Sequence, residues 1–186
     1  MKRKKIAIVG AGIVGISSGI YLAKRGCDVT LIDKDFKGKP ASYGNASWLS
    51  SPSITPVLMP GMVKKIPKLL FSKDGPLFLR FPGFIKIIPF LLKYLTYANK
   101  NKVEHISKNL AYLLKDSVNE HKQLAEGTNA TKWIEDSPFL FIYKNKKDFI
   151  NDEYTWSLRK KHGFKLIEVE QEELRSLVPG LSSEYK

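Results

Sequence analysis

KKIAIVGAGIVGISSGIYLAKRGCDVTLIDKD, residues 4–35, reads as strand, tight glycine turn, helix, second turn and second strand. Ile6, Ala7, Ile8 and Val9 form an uninterrupted apolar run, the pattern of a parallel strand covered on both faces. In GAGIVG, Gly10 permits a tight turn, Gly12 lets the backbone approach a pyrophosphate, and Gly15 lets the following helix pack closely on the sheet. Free N–H groups from Ala11 to Val14 would then lie at the positive end of that helix, where a phosphate binds. The helix is expected from Ile13 to Arg25, stopped by Gly26, with Cys27 a small buried residue at the turn and not a nucleophile. Val29 to Ile32 forms the second strand and ends at Asp33, 23 positions after Gly10. An acid at that spacing accepts hydrogen bonds from ribose hydroxyls and disfavours a 2′-phosphate. The residues therefore specify a dinucleotide-binding βαβ unit; a glycine-rich βαβ unit that binds nothing would leave the acid unexplained.

The same stretch resembles a secretory leader, because MKRKK precedes an uncharged run from Ile6 to Ala23. Glycines at fixed offsets, the absence of a small-x-small cleavage site and the good strand VTLI argue against a leader and against a spanning helix. With 186 residues, 43% of them hydrophobic, the chain can bury a core as one domain or the beginning of two. One cysteine and three separated histidines (His105, His121, His162) give neither a disulfide framework nor metal-ligand spacing. The expected compartment is the cytoplasm. The net charge of +13 invites a nucleic-acid or anionic-membrane partner, yet no nucleic-acid-binding motif accompanies it, so solvated lysines are the simpler reading and no nucleic acid is expected.

SYGNASWLSSP, Ser42–Pro52, has no hydrophobic period and is rich in small polar residues. By itself it reads equally as a turn-rich surface loop. Residues 51–102 then carry nine basic residues against one acid, Asp74, interleaved with Phe71, Phe78, Phe81, Phe84, Phe90, Tyr94 and Tyr97. Pro67, Pro76, Pro82 and Pro89 are expected to break this region into short pieces, and its charges exclude a spanning helix. Basic and apolar together suit either an interfacial segment on an anionic membrane or a packed subdomain with solvated lysines. The apolar stripe Val103, Ile106, Leu110, Leu113, Leu114, Val118 and Leu124 predicts one helix from Val103 to Glu126, closed by Gly127. Beyond it, PFLFIY (138–143) and FKLIEV (164–169) read as strands, Lys146–His162 as a helix, and EQEELRSL (170–177) as a short helix ending before Pro179. Arg80, Arg159 and Arg175 could bind a carboxylate but are expected as solvated surface residues.

Three pieces together, IAIVGAGIVGISSGIYLAKRGCDVTLIDKD, SYGNASWLSSPS and VLMPGMVKKIPKLLFSKDGPLFLRF, resemble the FAD-dependent oxidoreductases of the D-amino-acid oxidase superfamily, most closely the bacterial D-amino-acid dehydrogenase small subunit. The similarity runs on to GFKLIEVEQEELRSLVPGL. It implies an α/β fold: an N-terminal Rossmann-like FAD-binding unit over residues 1–52, then the start of an α+β substrate domain over 53–186 with a helical, basic-aromatic segment at 61–102. It also implies FAD as cofactor, held by Val9, Gly10, Ala11, Gly12, Ile13, Val14 and Gly15, with Asp33 and Lys34 framing the adenosine ribose. Ser42, Asn45 and Ala46 would lie along the flavin. Ser47 departs from the family, which commonly has Gly there. Family chemistry would be hydride transfer from the α-carbon of a D-amino acid, or of a related amine such as glycine or sarcosine. A quinone acceptor and a peripheral contact with the inner membrane belong to the same branch. Members are roughly twice this length, so the expectation is a chain incomplete relative to the family, a second chain supplying the remainder, and no assignable catalytic residue. Two other readings stay open: a nucleotide-binding module without turnover, and a basic membrane- or nucleic-acid-binding protein on a degenerate scaffold.

Overall fold

A computed structural model describes residues 3–36, 41–65, 83–182 and 185. In chain order the elements are β1 (Lys5–Val9), α1 (Ile13–Lys24), β2 (Asp28–Ile32), a 3-10 turn at Met62–Lys65, α2 (Gly83–Leu95), α3 (Lys100–Leu114), α4 (Ser117–Ala125), a second 3-10 turn at Thr131–Trp133, α5 (Lys146–Asn151), α6 (Glu153–Lys161) and α7 (Gln171–Leu177). The protein is thus a mixed helix-and-strand chain with a small parallel sheet at its N-terminus. Two compact units divide it: residues 1–50 with 116–137, and 51–115 with 138–186.

In the first unit β1 and β2 pair in parallel, Lys5 opposite Asp28 through Val9 opposite Ile32. A parallel pair needs a crossover, and α1 supplies it. The helix lies on the face formed by Ile6, Ile8, Val29 and Leu31, with Gly19 buried against Ile8, Val29 and Leu31. The sequence predicts strands covered on both faces, and here the structure differs: Val9 is 85% and Ile32 49% exposed on the opposite face. Among the described residues only one helical layer covers the sheet. α4 belongs to this unit through hydrogen bonds to α1, from the Tyr21 hydroxyl to the Glu120 carboxylate and from Lys24 Nζ to the Gln123 carbonyl at 3.2 Å. An ion pair between Lys122 and Asp136 at 2.6 Å ties the following turn to α4.

The helix expected over Val103–Glu126 is two helices. Asn99 starts α3 earlier than the apolar stripe does, because its Oδ1 accepts from the Lys102 N–H at 3.0 Å. Lys115 and Asp116 form a turn, Asp116 at φ −101° and ψ −1° being the N-cap of α4, and this turn separates α3 from α4. Asp and Ser compete with helical hydrogen bonding and favour helix ends, so an Asp-Ser pair divides a stripe that apolar spacing alone would continue. The buried line of α3 is Val103, Ser107 and Ala111, and Leu113 is 70% exposed.

Two further expectations of the second unit are corrected. Residues 138–143 and 164–169 carry no strand pairing; alternation specifies a face, but a strand also needs a neighbour to bond to, and none is present among the described residues. Residues 139–143 dock through side chains: Phe141 meets Phe139 and Trp156 edge to face at 4.6 and 4.7 Å, and Tyr143 meets Phe149 at 5.4 Å. The helix predicted at 146–162 breaks at Asp152, whose carboxylate accepts from the Tyr143 hydroxyl at 2.7 Å. Pro89 sits inside α2 and does not end it. The other three prolines of that region, with Phe71, Phe78, Phe81 and Arg80, lie outside the described residues. No helix among the described residues is long and apolar enough to cross a membrane.

Candidate functional site

The glycine turn closes the first unit's sheet at the carboxyl ends of both strands, the end at which open α/β sheets hold their ligands. Gly10 takes φ +104° and donates its N–H to the Ile32 carbonyl at 2.7 Å, which folds the turn over the neighbouring strand. At Gly15 an added Cβ would stand 1.9 Å from the Gly10 carbonyl oxygen. The helix can start this close to the turn only because that position has no side chain. An open cleft of about 370 Å³ results, lined by Ile8, Val9, Gly10, Gly12, Ile13, Val14, Gly15, Ser18 and Ser42.

Two long-range hydrogen bonds converge on this turn. The Ala11 N–H donates to Asp33 Oδ2 at 2.6 Å, and the Ile13 N–H donates to Ser42 Oγ at 3.1 Å. Gly12 is the N-cap of α1 and has no side chain to cap it, so Ser42 does so from 29 residues away. The Asp33 carboxyl is held below the ordinary carboxylate value, first by the Ala11 N–H and then by the Asp35 N–H and the nearby Lys34 charge. It is therefore anionic, an acceptor at the rim of the turn. The Ala11 and Ile13 amides, expected free, are thus engaged, which leaves those of Gly12 and Val14 as the donors at the helix N-terminus, with nothing but Ser42 Oγ within 4 Å of where a Gly12 Cβ would be. A pyrophosphate is the chemistry this arrangement suits.

The anticipated residues fall into two groups. Val9 to Val14, Gly15, Asp33 and Ser42 are brought together around the turn. Lys34 is exposed beside Asp33, while Asn45 and Ala46 are exposed in the loop that Ser42 opens. Asn45 is engaged within that loop: its Nδ2 donates to the Ser42 carbonyl at 2.9 Å and its Oδ1 accepts from the Ser47 N–H at 2.6 Å. Ser47 takes φ +52°, in the left-handed region that favours glycine. Ile8 and Ser18 also line the cleft without having been singled out. Ser18 could have been found from helical spacing, since it follows Gly15 by three residues on the same face.

Of the arginines, Arg159 is not the solvated residue expected. It is 8% exposed, its guanidinium lies 4.7 and 4.5 Å over the Phe141 and Trp156 rings, and its Nε donates to the Pro52 carbonyl at 3.3 Å. Stacking between aromatic faces is what a planar, weakly hydrated cation tolerates, and sequence spacing gives no sign of it. Arg175 is exposed on α7, and Arg80 lies outside the described residues. Among the described residues no group of three His, Cys, Asp or Glu could hold a metal ion.

Comparison with known proteins converges on the same chemistry. The chain is 39% identical over 185 residues to a protein named D-amino-acid oxidase from Bradyrhizobium diazoefficiens, an alignment covering 98% of this chain and 44% of that protein. It is 28% identical over 150 residues to a D-amino acid dehydrogenase of Helicobacter pylori, covering 79% of this chain and 36% of the relative. A D-amino acid dehydrogenase 2 of Ralstonia nicotianae is 32% identical over 110 residues, covering 59% and 26%. The chain thus spans less than half the length of each of these relatives. No solved structure matches. The sequence profile described as FAD dependent oxidoreductase matches residues 5–186, and the glycine turn with its anionic Asp33 is the part of that profile visible in the fold: the chain belongs to this family, whose cofactor is FAD.

Proposed function

We propose that this chain is the N-terminal, FAD-holding portion of an amino-acid oxidoreductase acting on D-amino acids or on a related amine such as glycine or sarcosine. The observation that carries the reading is the convergence of the Asp33 and Ser42 side chains on the amides of one glycine turn. In this reading the pyrophosphate takes the amides of the turn that Asp33 and Ser42 leave open, those of Gly12 and Val14, and Asp33 with Lys34 frames the ribose. The loop with Ser42, Asn45 and Ala46 lies along the flavin, where small side chains leave room for a ring system. FAD when bound supplies the hydride acceptor for oxidation at the substrate α-carbon, giving an imino acid that hydrolyses to a keto acid and ammonia. Residues 1–52 form the cofactor portion and 53–186 the beginning of an α+β substrate domain. The rest of the site comes from sequence beyond these residues, in the same chain or a second one. A quinone takes the electrons, with the enzyme working peripherally on a membrane at its cytoplasmic side.

The test is anaerobic addition of D-amino acids to the FAD-loaded protein together with the sequence that completes its site, followed by absorbance of the flavin. Bleaching by D-amino acids but not by their L-enantiomers, with colour returning on addition of a quinone analogue, is the expected result. FAD that stays oxidised in the presence of every D-amino acid, glycine and sarcosine would overturn the proposed activity while leaving cofactor binding intact.

A further inference from the structure

The outward side of α2 has a composition that the flavin site does not use. Ile85, Phe90 and Leu92 are 62, 65 and 62% exposed, with Ile87 and Tyr94 also open to solvent. Ile88, Leu91 and Leu95 are half-buried and lie together on the other side of the helix. Lys86 and Lys93, seven residues apart, share the exposed side, with Ile85 and Leu92 on one flank and Ile87, Phe90 and Tyr94 on the other. An exposed apolar strip is ordinarily unfavourable, and interleaving it with lysines alone is not how a merely solvated helix is made.

Charge complementarity identifies the occupant. From Gly75 to Val103 the sequence contains no acid and five basic residues, Arg80, Lys86, Lys93, Lys100 and Lys102. At the C-terminal end of α2 the aromatic and basic groups gather: Phe90 stacks on Tyr94 at 5.9 Å, and Lys102 Nζ sits 4.2 Å over the Tyr97 ring. Tyrosines with lysines beside an apolar helix match the headgroup layer of a bilayer, where a ring buries its body and keeps its hydroxyl wet. Lysine stems lie along the acyl boundary while their ammonium groups reach the phosphates. At 13 residues with Lys86 and Lys93 among them, α2 is too short and too charged to span.

We propose that α2, with Tyr97, Lys100 and Lys102, is the surface by which this protein lies on an anionic membrane. The inference deepens the proposed peripheral placement by assigning it to one helix, and rests on the flavin reading only for its purpose. Binding would be reversible and sensitive to salt, because short-range apolar insertion is combined with screened attraction.

The experiment is flotation of the whole chain with vesicles of phosphatidylethanolamine and phosphatidylglycerol, and with phosphatidylcholine alone, at low and high salt. FAD binding is measured on the same preparation. Wild type is expected to float with the anionic vesicles at low salt and to remain in solution with phosphatidylcholine. Lys86→Glu/Lys93→Glu should weaken partitioning roughly tenfold or more. Phe90→Asp should do the same, each variant keeping the wild-type circular dichroism. Lys146→Glu/Lys147→Glu makes the same change in net charge on exposed positions of α5 and should bind as wild type. Equal loss in both double variants would mean diffuse attraction by the +13 charge and would overturn the proposal. It would be overturned equally by a chain that ignores anionic vesicles but forms a dimer dissolved by Phe90→Asp. A chain that holds FAD and does not float sinks the membrane surface alone, and one that floats without holding FAD sinks the flavin reading alone.

Discussion

Ser47 and Asp33 show how much one residue decides in the loop and at the turn. Ser47 sits at φ +52°, with its N–H held by Asn45 Oδ1 at 2.6 Å. A side chain in that region costs about 1–2 kcal/mol, partly offset by the greater freedom glycine has when unfolded. Ser47→Gly should therefore raise stability by up to about 1 kcal/mol, and Ser47→Val should lower it, read as shifts in the urea midpoint at unchanged slope. The departure from glycine was visible in the sequence; its backbone meaning needed the torsion angle. Asp33 was legible by its spacing from Gly10, yet its bond to the Ala11 N–H was not, because spacing locates an acid without saying what it touches. Its folded pKa is depressed, so its contribution is present above the unfolded value near 3.9 and is lost as pH falls through the folded value. Asp33→Asn should flatten the acid limb of a stability-against-pH curve measured by urea unfolding.

At the scale of elements, the βαβ unit was readable because every local signal agreed: apolar runs, glycines at required offsets, and an acid after the second strand. The helices and strands beyond it were less so. Apolar spacing ran through Asp116 and Asp152 without a break, whereas each of those residues is the N-cap of a new helix. Residues 138–143 have a strand's alternation but are anchored by aromatic contacts and by a relay: Trp156 Nε1 donates to the Tyr143 hydroxyl at 2.9 Å, which donates to Asp152. Burial, then the hydrogen bond to Asp152, pushes the Tyr143 hydroxyl up to about 12. A tyrosine whose folded pKa is raised stabilises fully below the unfolded value near 10 and loses that contribution as pH rises toward the folded one. Unfolding monitored between about pH 10 and 12 should show this decline, and Tyr143→Phe should reduce it. The same substitution removes the partner of the indole N–H and should cost about 1–3 kcal/mol at neutral pH.

For the whole molecule, the exposed second face of the β1–β2 sheet and the outward side of α2 are two of the places where, among the described residues, apolar surface meets water. Neither was legible residue by residue, since Val9, Ile32 and Phe90 look like core until the fold shows what fails to cover them. The chain spans less than half the length of these relatives, and an apolar sheet face is stable only against another layer. What this chain holds in full is the glycine turn with its two side-chain partners. The measurement that tests the account most directly is gel filtration of the purified protein after incubation with FAD, with the visible spectrum of the protein peak. The account predicts one FAD per folded chain, lost in Gly15→Ala, whose added Cβ would stand 1.9 Å from the Gly10 carbonyl oxygen. A folded chain that leaves all FAD in the small-molecule fraction, or a Gly15→Ala variant that retains it as wild type does, would contradict it.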